Sequence, residues 1–218
     1  MHASGSGLGA FLREGTADLH TAAEGQRFQQ AMVQGAISRE EYGRFLQEVG
    51  EVHRAIDAGL QRHAASQPLL KLLVRSAHQR SPRIEEDLAA LGLAPRPSEP
   101  LGATRSFVAF LEQIGAGDPA ALVGVIYVTE GATNGNKFIA KALPGRLGLN
   151  AGEALGYLDP HGAEQRRVWM EFKSALETLA PTAAERERIL QAARRTFQYF
   201  LELSPELDSV GTPRPVGV

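Results

Sequence analysis

The amino-acid sequence predicts an all-α, single-domain helical bundle, and three observations carry that expectation. Apolar residues recur at helical spacing through most of the chain, helix-start signals punctuate it, and no alternating strand pattern or hairpin turn appears. The 218 residues are enough for one sizeable core, and no shift in composition divides them in two. Residues 1–7 and 205–218, rich in Gly, Ser and Pro, have little to bury and are expected as flexible tails around a domain over 8–204.

The first helix is expected from Leu8 to Glu24, with Leu8, Phe11, Leu12, Leu19 and Ala23 on one stripe. Ser38 and Glu41 form a capping box that opens a long helix to about His63. Leu69 to Leu91 should form the next, interrupted or restarted at Ser81-Pro82 because proline removes a donor and crowds the preceding turn. Residues 93–100 read as a loop, and Phe107 to Ile114 as a short amphipathic helix. Asp118-Pro119 and Asp159-Pro160 each supply an N-cap followed by proline at the first helical position. The glycine-rich stretch before Asp159 is expected to be irregular. Thr182 and Glu185 form a second capping box, and the final helix presents Ile189, Leu190, Ala193, Phe197 and Phe200 on one face.

Bulk properties exclude several chemistries. A formal net charge of −2 lacks the basic balance of a nucleic-acid binder. With no cysteine there is no disulfide, thiolate nucleophile, iron–sulfur cluster or Cys-ligated zinc, so a metal must be held by His, carboxylate or a cofactor. The N-terminal residues lack the basic and apolar regions of a signal peptide, and no stretch approaches the ~18 consecutive apolar residues of a membrane span. A cytoplasmic protein without a membrane partner is the expectation.

Two segments carry chemistry. In FLREGTADLHTAAE, Arg13, His20 and Glu24 fall within about 40° of one another around the helix, at the border of the apolar stripe. Glu24 lies one turn beyond His20, where its carboxylate could hold one ring nitrogen and leave the other for a metal. Arg13 lies about 10 Å from His20 along the axis. Such a His/Glu pair on an exposed flank is also, more commonly, a solvated ion pair. His53, His63, His78 and His161 show no cluster at ligand spacing.

The second segment, IYVTEGATNGNKFIAKAL, reads as a helix whose centre holds Gly131, Asn134, Gly135 and Asn136. Each glycine costs about 1 kcal/mol relative to alanine in a helix interior. One turn apart, the two glycines clear a single patch of helix surface. Close packing of another helix, a functional kink, or a planar ligand across the helix would each explain them.

Together these segments resemble heme oxygenases, particularly the bacterial biliverdin-forming kind, from about Leu12 to Leu203. TADLHTAAE resembles that family's proximal motif, which places Thr16 in the motif, His20 as the heme ligand and Glu24 as its hydrogen-bonding partner. The resemblance sets Arg13 and Lys173 at positions facing the propionates and Tyr127 near the heme edge. Gly131 and Gly135 match distal glycines, whereas Asn136 replaces a second adjacent glycine and Ala132 replaces an aspartate found in many members. It implies a heme oxygenase-like bundle in which heme is both cofactor and substrate, with oxygen bound on the Gly131 to Asn136 side. Molecular oxygen and an external electron donor of ferredoxin or reductase type would be required, and the products would be biliverdin, iron and carbon monoxide. The resemblance leaves Asn134 and Asn136 as amides that could donate to bound oxygen or water. The departures at Ala132 and Asn136 keep open a non-catalytic heme carrier or sensor on the same fold. A di-iron oxidase lacks its Glu-x-x-His set here, and a thiaminase-like role lacks its cysteine.

Overall fold

The computed structural model describes residues 7–150 and 152–210, and regular structure among them is entirely helical. Helix α1 (Leu8–Glu24) buries Leu8, Leu12 and Thr16, while most of its remaining surface meets solvent. A short α2 (Arg27–Val33), which periodicity alone had not separated, follows and buries Phe28, Ala31 and Met32. Helix α3 (Arg39–His63) opens on the expected capping box: the Glu41 amide donates to Ser38 Oγ at 3.1 Å and the Ser38 amide to Glu41 Oε2 at 2.7 Å. Its inward residues Tyr42, Leu46, Val49, Ile56 and Leu60 form the centre of the core.

The helix expected over Leu69 to Leu91 is divided into α4 (Pro68–Leu73), a 3-10 turn over Ser76–His78, and α5 (Ser81–Ala90). Proline does restart the chain at Ser81-Pro82, and another helix supplies the acceptor for the free amides. Asp57 of α3 takes bonds from the Arg80 amide at 3.1 Å and the Ser81 amide at 2.9 Å. Helix α6 (Gly102–Gly117) extends beyond the expected Phe107 to Ile114 at both ends.

Helix α7 (Leu122–Ala142) starts after a 3-10 turn over Pro119–Ala121, and Asp118 does not cap it. The Asp118 carboxylate pairs instead with Arg188, a charged donor that competes successfully with a neutral amide. After α8 (Pro144–Leu147) the chain is irregular, as its glycines suggested. Asp87 pins this segment by accepting from the Gly156 amide at 2.9 Å and the Tyr157 amide at 2.8 Å, and the Tyr42 hydroxyl donates to the Ala154 carbonyl at 2.8 Å. Asp159 accepts from the Gly162 amide at 3.1 Å, so Asp159-Pro160 marks the 3-10 turn over Gly162–Glu164 that precedes α9 (Gln165–Glu177).

Helix α10 (Ala183–Val210) opens on the Thr182/Glu185 capping box, with bonds of 2.8 and 3.2 Å. Residues 205–210, expected as tail, continue this helix. Pro205 forfeits one backbone bond, but Leu203 and Leu207 on either side are 1% and 2% exposed, and their burial outweighs that loss. Residues 1–6 and 211–218 of the expected tails lie outside the described residues.

Helices α7 and α10 cross in intimate contact at Gly124. A Cβ there would strike the Ile189 carbonyl oxygen and stand 2.8 Å from the Ala193 backbone nitrogen. Helix α1 also lies on α10, where Arg194 binds Asp18 through both guanidinium nitrogens at 2.9 and 3.0 Å. Thus α10 is the common support that fixes α1 and α7 relative to each other.

Candidate active site

On α1 the His20 side chain is 58% exposed, and the Phe197 ring from α10 meets it edge-on at 5.7 Å. Glu24 stands 3.7 Å from His20 Nδ1 and is 71% exposed. That distance exceeds a hydrogen bond, so the expected bond from His20 to Glu24 is not formed. Phe197 gives the imidazole its packing contact, and Glu24 is an ion-pair neighbour.

One turn before His20, Thr16 is buried and donates its hydroxyl to the Leu12 carbonyl at 2.7 Å. Tyr127 of α7 is half-buried, with Thr16 and Arg13 of α1 nearby. Burial raises the Tyr127 phenol above its ordinary value, and those two neighbours oppose that shift. Tyr127 thus places α7 close to Thr16 and Arg13 of α1. His20 lies one turn beyond Thr16 on α1, and Gly131 one turn beyond Tyr127 on α7.

The glycines on α7 separate by what surrounds them. Gly124 carries the helix packing. At Gly135 an added Cβ would meet nothing within 4 Å, and at Gly131 it would meet only the Trp169 ring at 3.6 Å. Helix packing consequently does not explain the Gly131/Gly135 face, and α7 is continuous through it. Asn136 is half-buried and makes no side-chain hydrogen bond among the described residues. Asn134, a candidate donor to bound oxygen or ordered water, donates to the Gly131 carbonyl at 3.1 Å and accepts from Gln165 at 3.3 Å.

From α9, Trp169 walls the Gly131 side and Lys173 stands over its ring at 5.7 Å. Lys173 and Arg13 are both exposed, and neither has a carboxylate partner among the described residues. An accessible imidazole, an open glycine face and two unpaired cations fit a planar, metal-containing dianion. A separate groove of about 1240 Å³, lined by Arg39, Arg44, Leu93, Arg105 and Leu207 among others, shares none of these residues.

Sequence reasoning missed a buried polar cluster directly before Gly131. Glu130 is 1% exposed; its Oε2 accepts from Arg80 at 2.6 Å and its Oε1 from His161 at 2.9 Å, with His78 Nε2 at 3.8 Å. Burial works to raise the Glu130 carboxyl, but the His161 bond and the Arg80 charge outweigh it and bring it down to about 2. Burial lowers His78 to about 4 and His53, whose Nδ1 has no hydrogen-bond partner, to about 3. The four clustered residues come from three separate stretches of chain, and only an acid beside a mid-helix glycine hinted at them. No group of three or more His, Cys, Asp or Glu side chains among the described residues could hold a metal ion.

The chain is similar to known proteins along nearly its whole length. The heme oxygenase family model matches residues 6–206. Heme oxygenase 1 of Homo sapiens is 25% identical over 211 residues, covering 94% of this chain and 73% of the human protein. Heme oxygenase 1 of a Nostoc species is 23% identical over 207 residues, covering 93% and 87%. Among solved structures, the heme oxygenase of Leptospira interrogans superposes with a TM-score of 0.84 at 25% identity, covering 92% of this chain and all of that one. Heme oxygenase-2 of a Synechocystis species, in complex with heme and NO, also gives 0.84, at 21% identity over 96% and 94% of the two chains. By sequence across nearly its whole length, and by fold, this chain belongs to the heme oxygenase family.

Proposed function

We propose that this protein is a biliverdin-producing heme oxygenase. The reading is supported by an exposed His20 on α1 and an uncovered Gly131/Gly135 face on α7, in a chain of the heme oxygenase family. When bound, heme would supply both the iron for oxygen activation and the ring to be oxidised, with molecular oxygen and electrons from an external ferredoxin- or reductase-type donor and release of iron and carbon monoxide.

The chain's own residues bind, orient and exclude. His20 would ligate the metal through Nε2, with its ring held by Phe197 and the Glu24 charge near Nδ1. Arg13 and Lys173 would pair with the propionates and so fix the in-plane rotation that selects the meso carbon. Backbone at Gly131 and Gly135 would approach the oxygen side, with Asn136 as its free amide. Trp169, whose ring stands beside Gly131, would line one wall. No described helix is long and apolar enough to cross a membrane, and we assign the protein to the cytoplasm.

Reducing the heme complex with a ferredoxin–reductase pair in air tests the proposal, with biliverdin absorption and ferrous iron as readouts. A heme spectrum that persists through several equivalents of reductant would favour the second reading, a carrier or sensor. That reading rests on Ala132 and Asn136, which leave this segment without the aspartate and paired glycine of many relatives.

A further inference from the structure

The rear of α7 holds a hydrogen-bond chain with only one possible direction. The Thr133 hydroxyl donates its single proton to the Glu130 carbonyl at 2.6 Å, so its oxygen must accept from Gln165 Nε2, which lies 2.7 Å away. The second proton of Gln165 Nε2 then goes to Asn134 Oδ1 at 3.3 Å, and Asn134 Nδ2 donates to the Gly131 carbonyl at 3.1 Å. Turning Asn134 over would set an NH₂ group against the Gln165 NH₂ group and its oxygen against the Gly131 carbonyl. Turning Gln165 over would set its oxygen against the Asn134 oxygen, so the amide faces Asn134 although this leaves Gln165 Oε1 buried without a hydrogen-bond partner. Gln165 is 3% exposed and Thr133 fully buried, so water cannot readily substitute for a lost partner.

We propose that Gln165 is a positioning residue that locks the Asn134 amide onto its own helix and keeps it from donating into the oxygen-side space. The lock makes that space less polar than the sequence implies and leaves Asn136 as its free side-chain amide. The orientation of Asn134 stands on geometry alone, while its consequence for a ligand on heme rests on the function proposed above.

Two measurements test the lock. In the ligand-free protein, NMR exchange of the Asn134 side-chain amide protons is expected to be slow and to accelerate roughly tenfold in Gln165→Met, the change expected for one lost hydrogen bond. Equal exchange in the two proteins overturns the proposal. In the ferrous heme complex with carbon monoxide, the C–O stretch is expected to fall in Gln165→Met, as the released amide donates to the ligand, and to recover in Gln165→Met combined with Asn134→Ala. Asn134→Ala alone is expected to leave the wild-type frequency unchanged, and this variant serves if Gln165→Met does not fold. A rise in Asn134→Ala means that the amide already donates in the native protein, and overturns the lock. If exchange behaves as expected but no heme complex forms, the functional reading fails and the lock stands.

Discussion

Arg80 binds Glu130 at 2.6 Å with both side chains almost wholly withdrawn from water, and this pair sits directly before Gly131 on α7. Arg80 also donates to the Thr129 carbonyl at 3.2 Å, so the guanidinium grips both backbone and carboxylate of the same helix. Removing one partner strands the other as a buried charge, which costs about 3–5 kcal/mol. Glu130→Gln is therefore expected to lower stability by that order. Urea unfolding checks it, and a loss below about 0.5 kcal/mol, typical of a surface substitution, would contradict it.

Acid should destabilise the fold well above the pH at which its carboxylates titrate. Burial holds His53 near 3 and His78 near 4, so both stay neutral when folded, whereas in the unfolded chain each takes up a proton below about 6.5. Their contribution is complete above that value and is lost as pH falls toward the folded values. The expected slope is about 1.4 kcal/mol per pH unit per histidine. Glu130, lowered to about 2, adds a loss in the same direction below about 4.5. Unfolding midpoints between pH 7 and 5 test the histidines. His53→Leu should flatten the profile, and a flat wild-type profile would contradict the account.

The glycines of α7 should separate by substitution. Gly124→Ala drives a methyl into the α10 backbone and is expected to cost about 1–3 kcal/mol, since neither helix can yield cheaply. Gly135→Ala meets no atom within 4 Å and should gain up to about 1 kcal/mol from helix propensity while weakening hemin binding. Thermal melts paired with hemin titrations distinguish them. A Gly135→Ala protein that is destabilised yet binds hemin normally would assign that glycine to packing.

Arg13 and Lys173 lack carboxylate partners among the described residues, so neutralising them should leave stability within about 0.5 kcal/mol. Arg13→Gln and Lys173→Gln are each expected to weaken hemin binding several-fold and to broaden the mixture of biliverdin isomers. Chromatography of the products checks the second effect. An unaltered isomer pattern in the double variant would remove both from control of heme orientation.

Local chemistry was legible in the sequence where it was self-contained. The boxes at Ser38 and Thr182 and the bounds of α1 and α3 depend on residues within a turn of one another, and they lie where the spacing put them. Asp118 carried the same kind of signal, but Arg188, 70 positions away, claims its carboxylate. Glu130 meets partners 50 and 31 positions distant, so its cluster exists only once α7, the turn before α5 and the segment before α9 have closed together. The side-chain direction of Asn134 likewise depends on Gln165 from another helix. The meaning of the glycines became readable only when Gly124 proved to carry the packing and Gly135 proved open.

His20 on α1 is proposed to ligate a heme held against α7. Adding hemin to the purified protein and recording its absorption and electron paramagnetic resonance spectra tests this most directly, with His20→Ala measured alongside. A stoichiometric complex with the spectrum of a histidine-ligated heme is expected in the wild type. In His20→Ala that signature should disappear and return on addition of imidazole. A wild-type spectrum indistinguishable from free hemin, or one left unchanged by His20→Ala, would contradict it.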